Sequence, residues 1–98
     1  MKTYAYVLKL DTRLYGELSW TDEDNRAVND HFLRLQNDYQ SGKVLHVGRT
    51  EDPTYEGYGF VVYQAENDVE AKKYMEDDPA VKGSQMTATY QAYKVVFK

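Results

Sequence analysis

The chain has no cysteine among its 98 residues, which excludes disulfide bridges, thiolate metal sites and cysteine nucleophiles. Its absence fits a reducing compartment. No apolar run approaches the roughly 18 residues that a membrane-spanning helix needs, and Met1–Leu10 has no signal-peptide layout. A cytoplasmic protein that engages no membrane is expected. Positive charge is in short supply. Twelve Lys and Arg against sixteen Asp and Glu give a formal net charge of −4, spread without a basic block, which opposes a phosphate-backbone partner. No glycine-rich loop opens a helix, so no phosphate cradle is marked. No serine nucleophile is marked, and no cofactor is called for. The residue present in excess is tyrosine, with ten copies. Its ring packs like an apolar group while its hydroxyl wants a partner.

A chain of this length makes one domain, residues 1–98, burying roughly 60–65% of its unfolded surface. Thr3–Leu10 is rich in aromatic and branched residues and predicts a strand. Thr21 predicts a helix N-cap, with Asp22, Glu23 and Asp24 at the positive end of the helix. Val28, Phe32, Leu35 and Tyr39 then recur on one helical face, and Gly42 ends the helix. Lys43–Arg49 predicts a second strand, Arg49–Gly57 a loop broken by Pro53 and Gly57, and Gly57–Ala65 a third strand. Asn67 and Glu70 start a second helix, which stops near Asp77 because Pro79 disfavours helical geometry at Asp78. Met86–Phe97 predicts the last strand. The order strand, helix, strand, strand, helix, strand is the ferredoxin-like βαββαβ arrangement, an α+β fold with both helices on one face of a four-stranded antiparallel sheet.

The stretch Glu56–Gln64, EGYGFVVYQ, matches the strand signature of RNA-recognition domains except at its first position, where Glu56 replaces a basic residue. Tyr58 and Phe60 would be the base-stacking aromatics. The acidic Glu56 and the net charge oppose that reading, and both glycines have structural explanations: Gly57 ends a turn and Gly59 relieves crowding beside an aromatic. A packed strand is the preferred reading, with no nucleic acid as partner.

Alternation gives each strand apolar residues on both sides. Tyr4, Tyr6, Leu8 and Leu10 oppose Ala5 and Val7; Tyr58, Phe60 and Val62 oppose Val61 and Tyr63; Tyr93, Val95 and Phe97 oppose Tyr90, Ala92 and Val96. Two helices cover only one side, and an antiparallel sheet open to water should alternate more cleanly. A second copy, packed sheet against sheet, is the economical cover.

Several segments in order resemble the YCII-related family, the YciI-like proteins of the dimeric α/β-barrel superfamily. They are Asp30–Thr50 with His31, Gly42 and Gly48-Arg49; Tyr58–Asn67; Val69–Gly83 with Asp78-Pro79; and the closing QAYKVVFK. The resemblance covers about the whole chain. It implies a ferredoxin-like protomer, a sheet-to-sheet homodimer and an active site of a histidine and an aspartate, which fall on His31 and Asp78. A characterised relative, a muconolactone dehalogenase, implies acid–base chemistry on small organic acids. Asp11–Trp20 is longer than the family's usual connection and is expected to cover or reshape a pocket.

On its helix, His31 lies about 60° from Val28 and about 40° from Leu35, at the edge of the apolar stripe. Histidine changes charge near neutral pH, and a carboxylate on one ring nitrogen fixes the tautomer and leaves the other for substrate. Asp24 and Asp38 are each two helical turns away and are poor partners. A boundary histidine is the structural alternative, and Asp78 before Pro79 is also a good N-cap. Arg49, after Gly48, has the geometry to hold a substrate carboxylate; surface solvation is its alternative. Arg13 and Trp20 are candidate pocket walls. His31 and His46 have no third ligand marked by spacing, so no metal is expected.

Overall fold

The computed structural model describes residues 1–52 and 54–98. Pro53, expected to break the loop, lies outside the described residues. The elements are β1 (Lys2–Leu10), two short 3-10 turns (Thr12–Leu14 and Glu17–Ser19), α1 (Asp22–Gln40), β2 (Val44–Arg49), β3 (Gly59–Ala65), α2 (Asp68–Glu76), α3 (Pro79–Lys82) and β4 (Met86–Ala92). The sheet runs in the order β2-β3-β1-β4, antiparallel throughout, which is the ferredoxin-like arrangement.

The caps fall where the side chains placed them. The Thr21 hydroxyl accepts from the Asp24 amide, while the Asp24 carboxylate accepts from the Thr21 amide. Asn67 accepts from the Glu70 amide and starts α2. Gly42 takes a φ of 88° after α1, a left-handed conformation that glycine adopts freely. At Gly57 the demand is steric: a Cβ there would overlap the Asp52 carbonyl oxygen.

Two expectations are corrected. The buried face of α1 is turned from the apolar stripe. Phe32 and Tyr39 are 46% and 59% exposed, whereas Asp24, His31 and Leu35 are buried. Polar residues can occupy that face because each finds a partner from elsewhere in the chain. The last strand ends at Ala92 rather than Phe97. Ala92 is paired with Tyr4, and the Tyr93 amide donates to the Thr3 carbonyl where the β1 ladder runs out. Tyr93 instead turns its ring edge-on to Phe60, with centroids 5.5 Å apart.

Register places Tyr4, Tyr6 and Leu8 beside Tyr63, Val61 and Gly59 on the helix-covered face. The core there is Tyr4, Tyr6, Leu8, Leu35, Val44, Val61, Tyr63, Ala65, Ala71, Tyr74 and Met75. Full burial of a side chain such as Leu35 or Val61 contributes about 1.5–3 kcal/mol. Among the described residues no helix is long and apolar enough to cross a membrane.

Candidate active site

Asp78 ends α2's connection and caps α3, accepting from the Ala80 amide at 3.0 Å with Pro79 in the first helical position. Its side chain is fully buried. The same carboxylate meets His31 of α1, whose Nδ1 lies 2.7 Å from both Oδ1 and Oδ2. The capping role and the histidine contact therefore coexist. From β1, the Tyr6 hydroxyl donates to Asp78 Oδ2 at 2.7 Å. Burial pushes the Asp78 carboxyl up, but the His31 hydrogen bond and charge, the Tyr6 hydroxyl and the Ala80 amide outweigh it and hold the group below the usual range. An ionised carboxylate only accepts, so Nδ1 of His31 carries a proton. In the neutral imidazole Nε2 is then the free base, and among the described residues it has no hydrogen-bond partner. Burial and the Asp78 charge push the Tyr6 phenol far above its ordinary value, so it stays a donor.

His31 borders a cavity of about 560 Å3, inside the range of small-molecule clefts. Its floor is the β1–β3 sheet at Leu8, Gly59 and Val61, its flank is Val47–Arg49 of β2 with Thr50 beyond it, and its helix side is Val28, His31 and Phe32. The loop before β3 contributes Asp52, Thr54 and Gly57 to the wall, and the Asp11–Trp20 segment contributes Leu14, Tyr15, Glu17 and Trp20. That segment is fastened rather than loose. The Arg13 guanidinium forks onto the Asp24 carboxylate with two 2.8 Å bonds, the Trp20 Nε1 donates to the Leu14 carbonyl at 2.9 Å, and Ser19 Oγ donates back into the turn. The Arg13 guanidinium, the Thr21 amide and Gln85 Nε2 hold Asp24 far below the carboxylate range.

His31 and Asp78 are thus brought together, in the middle of the buried helix face rather than at its edge. Arg49 closes β2 and borders the cavity, exposed and with no carboxylate partner among the described residues. Trp20 is a wall as expected. Arg13 is not; it is spent on Asp24. His46 lies level with Val62, one position on from Val61 of the cavity floor, and is not among the residues that line the cavity with His31. Tyr58 precedes β3 and is half-exposed at the cavity rim, and Phe60 packs edge-on to Tyr93. Asp24 and Asp38 serve other groups, Arg13 and the Tyr74 hydroxyl. Sequence reasoning missed Tyr6. Its place on the helix-covered face was legible from alternation, but its acceptor lies 72 positions away.

The YCII-related domain profile matches residues 2–96. Among solved structures the chain is similar to 5-chloro-2-hydroxyhydroquinone dehydrochlorinase from Burkholderia phenoliruptrix, in complex with 2,5-dihydroxybenzoquinone. The identity is 15% and the TM-score 0.55, over 93% of each chain. At that identity the likeness carries the fold. No curated protein matches the chain.

Proposed function

Because the chain belongs to the YCII-related family, we propose that it is a small enzyme in which His31 moves a proton to or from a small acidic or lactone-like substrate in the cavity. The observation that carries this reading is the His31–Asp78 contact, with Nδ1 at 2.7 Å from the carboxylate and the ring bordering the cavity. Nε2 takes a proton from a substrate carbon or hydroxyl. The released electron pair forms a double bond while a leaving group departs with its own pair, which is an elimination. In an isomerisation the proton returns at another carbon. Asp78 stabilises the imidazolium formed and fixes the ring. Arg49 holds a substrate oxyanion, and Leu8, Leu14, Trp20 and Val61 give the substrate an apolar bed. The dehydrochlorinase named above supports elimination as the reaction type through a shared fold.

Proton transfer can be tested before the substrate is identified. A panel of hydroxylated or chlorinated single-ring compounds and lactones is incubated in D2O, and proton exchange and halide release are followed by NMR and ion chromatography. The wild-type protein is expected to catalyse one or both, and His31→Gln to lose about 100- to 10,000-fold. Binding without turnover would identify a ligand-binding module instead. A His31→Gln protein as active as wild type would end the acid–base assignment.

The homodimer belongs to the same proposal. Val95, Val96 and Phe97 are 37%, 70% and 92% exposed beyond β4, an apolar segment that a second copy would cover. Light scattering coupled to size exclusion, showing a monomer at micromolar concentration, would remove it. Single-stranded RNA is expected not to bind at any salt concentration.

A further inference from the structure

Gly57 and Gly59 stand two residues apart, and only one of them is required by the backbone. A Cβ at Gly57 would overlap the Asp52 carbonyl. Gly59 has no such constraint. Its φ is not in the left-handed region. It sits in uninterrupted register, facing Leu8 on β1 and Arg49 on β2, with the one irregularity of the β2–β3 ladder far off between Val44 and His46. A Cβ there would meet Leu8 Cβ and Cδ1 at 3.5 Å and the Gly48 carbonyl oxygen at 3.8 Å, which is ordinary contact. No aromatic ring is among those neighbours, so crowding does not account for the glycine. Gly59 is the first residue of β3 and is paired on both sides, a position that disfavours glycine unless a bulge, a bend or the close approach of another group calls for it. Bulge and bend are absent, and the space above Gly59 is the cavity that holds His31 and Arg49.

We propose that Gly59 is the specificity-determining position of this site: its missing side chain opens the cavity floor beside Arg49 and sets the substrate class as single-ring compounds bearing an ionised oxygen. The ring lies over the Gly59 backbone, the oxygen meets the Arg49 guanidinium, and the reacting carbon or hydroxyl is presented to His31. A two-carbon acid would reach Arg49 without using the floor. The inference rests on the cavity being the functional site, as proposed above.

The test is an amide NMR titration of wild type, Gly59→Ala and Gly59→Val with 2,5-dihydroxybenzoquinone and, separately, acetate, alongside thermal melts. For the quinone, Gly59→Ala is expected to bind roughly tenfold more weakly and Gly59→Val beyond detection. Acetate is expected to shift the Arg49 region alike in all three. Both variants are expected to melt at or above the wild-type temperature, because alanine and valine suit a strand better than glycine. A variant that melts clearly lower or fails to fold would make Gly59 structural and overturn the inference. So would Gly59→Val binding the quinone as tightly as wild type, with the site reading left standing. Wild type binding acetate alone would overturn the ring-sized class. Wild type binding neither probe would bring down the reading of the cavity as a site, and the role of Gly59 with it.

Discussion

One face of one sheet carries two regions of opposite character. At the Tyr4 end the layer between sheet and helices is filled with rings: Tyr4, Tyr63 and Tyr74, with Tyr63 stacked on Tyr74 at 5.0 Å and Arg34 over the Tyr74 ring at 3.9 Å. At the Leu8 end it is hollow. The change follows the register row by row, from Tyr4 beside Tyr63, through Tyr6 beside Val61, to Leu8 beside Gly59. Side-chain volume falls along the sheet while the backbone stays regular. Tyr6, Asp78 and His31 occupy the boundary. A histidine placed there has a packed, hydrogen-bonded back that fixes its ring, and an open front that admits a ligand. The filled half supplies rigidity and the hollow half supplies the space for chemistry.

The largest break in this comparison is at the boundary. Asp78→Ala removes the α3 cap and leaves the Tyr6 hydroxyl and His31 buried without their partner, so a loss of about 3–5 kcal/mol is expected in urea denaturation. A loss under about 1 kcal/mol would mean that the boundary network does not hold the two halves together.

Acid attacks the same network. Asp78 and Asp24 are both held below their ordinary 3.8 in the folded protein, so below that pH the unfolded chain binds more protons than the fold. The stability they confer is full above about pH 4 and is lost as pH falls further. Denaturant midpoints that stay flat from pH 5 down to pH 2 would contradict it. The sign reverses for the tyrosines. Burial, together with Asp78 at Tyr6 and Asp38 at Tyr74, raises the Tyr6, Tyr63 and Tyr74 phenols above 10.0. Their contribution is full below pH 10 and lost above it, with tyrosinate absorbance appearing as the protein unfolds.

A smaller effect separates two tyrosines inside the filled half. The Tyr63 hydroxyl donates to the Ala71 carbonyl at 2.7 Å, and Tyr63→Phe is expected to cost about 0.5–1.5 kcal/mol because a buried hydrogen bond is lost while the carbonyl keeps its helical donor. The Tyr4 hydroxyl is raised by burial and by nearby Asp68, yet no acceptor lies at hydrogen-bond distance among the described residues. Tyr4→Phe should stay within about 0.5 kcal/mol of wild type or stabilise it. Equal costs for the two would show that the difference in partners does not matter.

The smallest stability effect belongs to the hollow half. Arg49 is exposed and unpaired among the described residues, so Arg49→Ala is expected to change stability by less than about 0.5 kcal/mol while weakening acetate binding in the NMR titration. A clear drop in stability would make Arg49 structural.

Much of the fold was legible because its signals are local. Thr21, Asn67 and Gly42 mark helix ends through contacts with residues three or four positions away, and alternation assigned Tyr4, Tyr6 and Leu8 to one face whatever lay opposite. The errors arose where the deciding partner is distant. The apolar residues of α1 point to one face, yet Arg13, Gln85 and Asp78 make it favourable to bury Asp24 and His31 instead. The length of β4 depended on where the β1 ladder runs out, not on the propensity of Tyr93–Phe97. His31 and Asp78 were named through a family likeness, and no spacing along the chain gives their 2.7 Å separation. By itself the sequence determined the order of elements, their caps and the faces of the strands, since these depend on backbone geometry and near neighbours. Only the tertiary structure decided which polar groups are buried, that Tyr6 completes the His31–Asp78 contact, and that a row ending in Gly59 leaves a cavity. Those outcomes depend on groups that chain folding brings from 47 and 72 residues away, where local propensity carries no information.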